Sequence, residues 1–181
     1  QEKPDLTDPK KAADSQGSTP QVRYPKQYKS NGADKSGKYE NKQQKYPLGT
    51  VVDLNKADTS ELKCIPGIGS TYATRIVKFR NLLGGFYSVA QLKEVYGIDE
   101  EKFDTLKEWF TVNENTLKQL LVNQLPEDSI RKHPYIDYRQ AKVLVRLRKK
   151  IGKLSGWDNL LLLEEFTEAD KSRLTPYLSF D

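Results

Sequence analysis

The residues best suited to chemistry lie between Leu62 and Ile76, in the run LKCIPGIGSTYATRI. Pro66-Gly67-Ile68-Gly69 joins two segments of helical apolar spacing through only a few residues, and glycine at 67 and 69 permits backbone angles that a Cβ would oppose. The same glycines leave the amides at the start of the second segment uncovered. In a helix those N–H groups have no internal acceptor and sit at the positive end of the dipole, so an oxyanion such as a phosphate can approach them closely. Ile68 is expected to point the other way and plug the turn into the core. Thr71, Arg75 and Lys78 follow at i, i+4 and i+7, which places a hydroxyl and two cations along one helix face. The predicted anion site is therefore Gly67, Ile68, Gly69, Ser70, Thr71, Arg75 and Lys78.

The elements that must hold this turn are legible from caps and spacing. Asp58 with Glu61 three residues on is a capping box that starts a short helix, and Pro66-Gly67-Ile68-Gly69 stops it. Ala73, Ile76, Val77 and Leu83 share one face of a second helix, which Gly84-Gly85 ends. Ser88 caps a third through Val89, Leu92 and Val95. Asp99 caps a fourth through Phe103, Leu106, Trp109 and Phe110. No stretch alternates convincingly, so no sheet is predicted.

The chain also repeats itself. At an offset of 68 residues, 53–112 lies over 121–180 without a gap and ten positions are identical, among them Asn55 with Asn123, Pro66 with Pro134, Ile68 with Ile136, Arg80 with Arg148 and Leu106 with Leu174. Chance pairing would give roughly 4. The reading is two copies of one unit.

The second copy departs at the turn. Tyr135 stands where the first has Gly67 and Asp137 where it has Gly69, a bulky ring and an anion at the place a phosphate would dock. Its second helix nonetheless carries Arg139, Lys142, Arg146 and Lys149 at spacings of three, four and three. Such a stripe is most often a solvated helix face. Two other readings stand beside that one: contact with a nucleic-acid backbone by charge alone, through Arg139, Lys142 and Arg146, or a docking surface for a protein partner on 121–180.

Composition narrows the function classes. Residues 1–48 contain only Leu6, Val22 and Leu48 as large aliphatics and are expected to be a disordered basic tether. The net charge is +5, but Lys and Arg number 8 against 9 Asp and Glu over 53–112, and 11 against 8 over 121–180. A polyanion partner must thus be argued from placement of charge rather than from its sum. One cysteine, Cys64, and one histidine, His133, exclude an internal disulfide and a cysteine/histidine zinc site. No acidic cluster has metal-ligand spacing, so neither metal nor cofactor is expected and the protein is read as no enzyme. His133 and Cys64 are expected to be structural. Arg80 and Arg148 should pair with Glu100 and Glu168 or with carbonyls at a helix end. No apolar run is long enough to span a membrane. The chain starts at Gln1 and has no methionine, which predicts that something upstream was removed, and the polar arm with its prolines and tyrosines has two readings, an ordinary disordered tail or a stalk that tethers the globular part to a membrane.

The pattern from Asn55 through Pro66-Gly67-Ile68-Gly69 and Ala73 to Gly84-Gly85-Phe86, then Leu92 and Gly97-Ile98, resembles the helix-hairpin-helix domain of the ComEA type, bacterial DNA-uptake proteins and their relatives. The resemblance covers 53–112 well and 121–180 more loosely. It implies tandem hairpins that bind duplex DNA without sequence preference, amides of Gly67 and Gly69 offered to a phosphate, Thr71 and Arg75 flanking them, and a location outside the cytoplasm. The expected architecture is all-α: two consecutive helix-hairpin-helix units of about four helices each, over 49–112 and 113–181, behind the arm. The runner-up reading is a non-enzymatic interaction or scaffold module that kept the fold and lost DNA binding.

Overall fold

The computed structural model describes residues 44–181. The tether expected over 1–48 lies outside the described residues up to 43; residues 44–48 belong to the folded part, where the Tyr46 N–H donates to the Cys64 carbonyl at 2.8 Å.

The described chain is mostly helical. In order, the first segment contains β1 (Val52–Asp53), α1 (Thr59–Cys64), α2 (Ser70–Leu83), a 3-10 helix at Val89–Glu94, α3 (Glu100–Leu106) and β2 (Phe110–Thr111). The second contains β3 (Leu120–Leu121), α4 (Glu127–Ile130), α5 (Tyr138–Ile151), a 3-10 helix at Trp157–Asn159, α6 (Glu168–Leu174) and β4 (Leu178–Ser179). The expectation of no sheet is corrected. β1 pairs in parallel with β2, Val52 opposite Phe110, and β3 with β4, Leu120 opposite Leu178. Two-residue strands are too short to show alternation, and their pairing is imposed by helices that bring the two ends of a segment together.

The caps form as the sequence indicates. Asp58 Oδ1 accepts from the N–H groups of Ser60 and Glu61 while the Glu61 carboxylate accepts from Asp58 N, and Ser88 with Gln91 repeats that reciprocal pattern. Gly84 ends α2 with φ +85°, and a Cβ there would lie 2.6 Å from the Lys118 carbonyl, so both its backbone angle and its space demand glycine. α2 buries Ala73, Ile76, Phe79 and Leu83, with Val77 only half-buried. Phe86, Trp109 and Phe110 are core.

The same hydrogen bonds recur at the 68-residue offset. Asn55 takes the Phe86 N–H at 2.7 Å and gives to the Phe86 carbonyl at 2.8 Å; Asn123 does the same with Leu154, at 2.8 and 2.9 Å. Arg80 donates to the carbonyls of Leu54 and Ala57, and Arg148 to those of Val122 and Leu125. Both arginines thus serve carbonyls just ahead of the first helix of their segment. They do not pair with Glu100 and Glu168, which instead meet Lys93 and Lys171. A half-buried guanidinium is held there because it satisfies two carbonyls that the chain's reversal leaves without partners.

Candidate nucleic-acid interface

Four turns in the chain share one construction. In each, the amide of an apolar residue donates to the carbonyl three residues back: Ile68 to Ile65, Ile98 to Val95, Ile136 to His133 and Phe166 to Leu163, at 2.9–3.2 Å. Each of these apolar side chains is buried, Ile68 with 2% exposed, and burying an isoleucine is worth about 1.5–3 kcal/mol, which anchors the turn. The next residue is the N-cap of a helix. Asp99 accepts from Lys102 N, Asp137 from Gln140 N and Thr167 from Asp170 N. Gly69 has no side chain and makes no cap. Among the described residues, none accepts from the N–H groups of Gly67, Gly69, Ser70 or Thr71.

The geometry at that first turn is open. Gly67, Gly69, Ser70 and Thr71 are exposed, and an atom added at the Cβ position of Gly69 would meet nothing within 4 Å. Gly67 has φ +83°, a backbone state that favours glycine, while Gly69 is extended. The turn therefore presents unpaired amides at the positive end of a fourteen-residue helix, to which an oxyanion fits.

The expected flanking side chains divide. Thr71 and Lys78 are exposed on the outer face of α2. Arg75 is half-buried: its guanidinium donates to the Tyr96 carbonyl at 3.0 Å and lies 4.7 Å from the Tyr96 ring centroid and 5.8 Å from that of Tyr72. It ties α2 to the turn at Gly97, so its donors are partly engaged there.

The corresponding turn in the second segment is spent internally. Asp137 Oδ1 accepts from Gln140 N at 2.8 Å and Gln140 Oε1 from Asp137 N at 3.0 Å, so a carboxylate of the chain itself occupies the start of α5. Tyr135 is buried against the first segment. Its hydroxyl donates to Glu94 at 2.9 Å and accepts from Gln91 Nε2 at 2.7 Å, while Gln91 also donates to the Tyr177 hydroxyl and the latter to the Gly85 carbonyl. Arg173 lies 4.0 Å from the Tyr135 ring centroid and bridges to Glu94 at 3.2 Å. His133 Nε2 lies 3.1 Å from the Leu83 carbonyl, and burial pushes the imidazole pKa down to about 4, with the nearby Arg173 charge acting in the same direction. Burial also raises the hydroxyls of Tyr135 and Tyr177 well above the ordinary tyrosine range. The part that Gln91, Glu94, Arg173 and Tyr177 play in this seam does not stand out in the sequence, since their partners in it lie dozens of residues away.

Arg139, Lys142, Arg146 and Lys149 all lie exposed on α5, and among the described residues none is in a salt bridge. Cys64 is half-buried, its thiol 3.4 Å from the Ser60 carbonyl. Among the described residues no cluster of acidic, histidine or cysteine side chains is arranged to hold a metal, and no helix is long and apolar enough to cross a membrane.

Comparison with known proteins agrees with this geometry. Residues 49–111 match the model of a family described as the helix-hairpin-helix motif. Over 64 residues the chain is 34% identical to the ComE operon protein 1 of Bacillus subtilis (strain 168), which covers 35% of this chain and 31% of that protein. The match thus spans about a third of the relative. Residues 49–111 are thus similar to the helix-hairpin-helix motif and to a part of that relative.

Proposed function

We propose that the protein binds duplex DNA without sequence preference, through phosphates seated on the amides of Gly67, Gly69, Ser70 and Thr71. The single observation that carries this reading is the exception among four like-built turns: only the helix that starts after Gly69 lacks a side-chain cap. An uncapped N-terminus on the surface leaves its amides to water or to an anion, and a DNA backbone offers phosphates at regular spacing. Lys78, and Arg75 through what remains of its hydrogen-bonding capacity, add charge along the same face. The contacts offered at the turn are mainly backbone amides, which suit phosphates rather than base edges, and this is why the binding is proposed to be indifferent to sequence.

Residues 113–181 are read as a second, degenerate unit of the same kind. The recurrence of the asparagine and arginine bonds at the 68-residue offset supports common descent, and the consumption of Tyr135 and Asp137 in internal contacts argues against a second phosphate site at that turn. In this reading the exposed cations of α5 add long-range attraction, and the chain performs no catalysis. By analogy with the ComE operon relative, the process is proposed to be uptake of DNA, with the domain outside the cytoplasm and held by the arm.

The test is a titration of a fluorescently labelled duplex with the full chain at several salt concentrations. Two to four phosphate contacts predict a Kd of about 10⁻⁴ to 10⁻⁶ M at physiological salt and a log–log salt slope of about −2 to −4. Absence of salt-sensitive binding at the lowest salt favours the scaffold reading, for which the buried Tyr135–Gln91–Tyr177 contacts are the supporting observation.

A further inference from the structure

The arm contributes a side chain to the turn. Lys45 Nζ donates to three carbonyls, those of Lys63 at 2.5 Å, Ile65 at 3.2 Å and Ile68 at 3.2 Å. An ammonium has three N–H groups and finds three acceptors, so its hydrogen-bonding capacity is filled by the end of α1 and the turn itself. The bond from Tyr46 N to the Cys64 carbonyl, and packing of the Tyr46 ring on the core, hold residues 45 and 46 in place beside it.

One of the three carbonyls bears directly on the phosphate site. The Ile68 carbonyl and the Gly69 N–H belong to one peptide, and the described chain contains no cis peptide bond. In a trans peptide the C=O and N–H point in opposite directions, so a cation fixed on the oxygen directs the hydrogen the other way. A charge-assisted bond to the oxygen also polarises the peptide and makes its N–H a stronger donor. We infer that Lys45 is a positioning residue of the phosphate site: seated on the carbonyls of Lys63, Ile65 and Ile68, it orients and polarises the Ile68–Gly69 peptide so that the Gly69 N–H is presented to the incoming oxyanion. The inference rests on the reading above that this turn takes a phosphate. Because the ammonium is saturated by carbonyls on the far side of the peptide, it acts through Gly69 and makes no phosphate contact of its own.

That distinction is measurable. Full-length Lys45→Met keeps the apolar stem and removes the charge; Lys45→Arg keeps a cationic donor. In the duplex titration Lys45→Met is expected to bind about fivefold more weakly, the loss of roughly one hydrogen bond's worth of free energy, with the log–log salt slope unchanged from wild type, and Lys45→Arg is expected to recover most of the affinity. The Gly69 amide resonance of the DNA-free protein should move in the Lys45→Met spectrum more than those of Ser88 or Asp99, an observation that stands even if the variant loses some thermal stability. Unchanged affinity, or an unmoved Gly69 resonance, overturns the inference. A slope reduced by about 1 also overturns it, in favour of a direct lysine–phosphate contact. Failure of the wild-type protein to bind any duplex would instead remove the phosphate reading on which the inference rests.

Discussion

The turns at Ile68 and Ile136 close with the same hydrogen bond, bury an isoleucine in the same position and start helices of equal length, yet one faces outward with its amides bare and the other is closed. The difference lies in two residues. Glycine at 69 leaves the helix start open, and aspartate at 137 supplies a permanent carboxylate to it. Glycine at 67 leaves the turn uncovered, and tyrosine at 135 extends from it into the first segment. A turn of this design can serve either a ligand or the chain's own packing. In the second segment the turn is engaged in the chain's own packing, and the start of its helix carries its own carboxylate.

The largest effect that would break this comparison is expected at Tyr135. Replacing it with alanine removes a buried ring and takes from Gln91 Nε2 and from Glu94 one of the partners each has, and should lower stability by about 3–5 kcal/mol in urea unfolding. The equivalent change at Gly67 touches no such seam. A loss under 1 kcal/mol at Tyr135 would mean that the buried contacts of the second turn contribute little to the fold.

Next is the pH dependence of the same seam. His133 has a pKa of about 4 when folded against 6.5 for the free side chain, so between those values the unfolded chain binds the proton that the folded chain refuses. Stability is thus full above pH 6.5 and declines as pH falls toward 4, by about 3 kcal/mol over the whole window. Chemical denaturation at pH 7 and pH 4.5, with His133→Asn as the control lacking this titration, checks it. A stability difference equal in the two proteins would contradict a buried neutral imidazole.

Arg80 and Arg148 sharpen the comparison from the other side, because here the segments should behave alike. Each substitution to methionine leaves two carbonyls without their donor and should cost about 2 kcal/mol, with the two values similar. A large disparity would show that the matching bonds are not equivalent in energy. The smallest effect is expected from neutralising Arg139, Lys142, Arg146 and Lys149 together. Stability should change little, and the salt slope of duplex binding should shrink only if α5 approaches the backbone.

Much of this was legible in the sequence because it is local. The capping boxes at Asp58 and Ser88, the stop at Gly84 and the plug at Ile68 depend on residues a few positions apart, and the repeat is visible as identity at one offset. Phe79 escaped the apolar face assigned to α2, although it lies three residues after Ile76. The strand pairs were invisible because two residues carry no period. For Arg80 and Arg148 the sequence left repeated glutamates and helix-end carbonyls both open; the partners are backbone carbonyls, and sequence conceals which of them a reversal leaves bare. The seam around Tyr135 and the seat of Lys45 on the turn are tertiary: Lys45 lies in a run of polar residues whose composition reads as an arm, and only its partners 18 to 23 residues on mark it as part of the fold.

The most direct test of the central claim is to exchange the two N-cap residues and measure duplex binding at low salt. Gly69→Asp gives α2 the carboxylate that α5 already has and should weaken binding at least tenfold without loss of fold, whereas Asp137→Gly should leave affinity within about twofold of wild type. Undiminished binding by the Gly69→Asp protein, or a loss as large in the Asp137→Gly protein, would contradict the assignment of the phosphate site to the open turn.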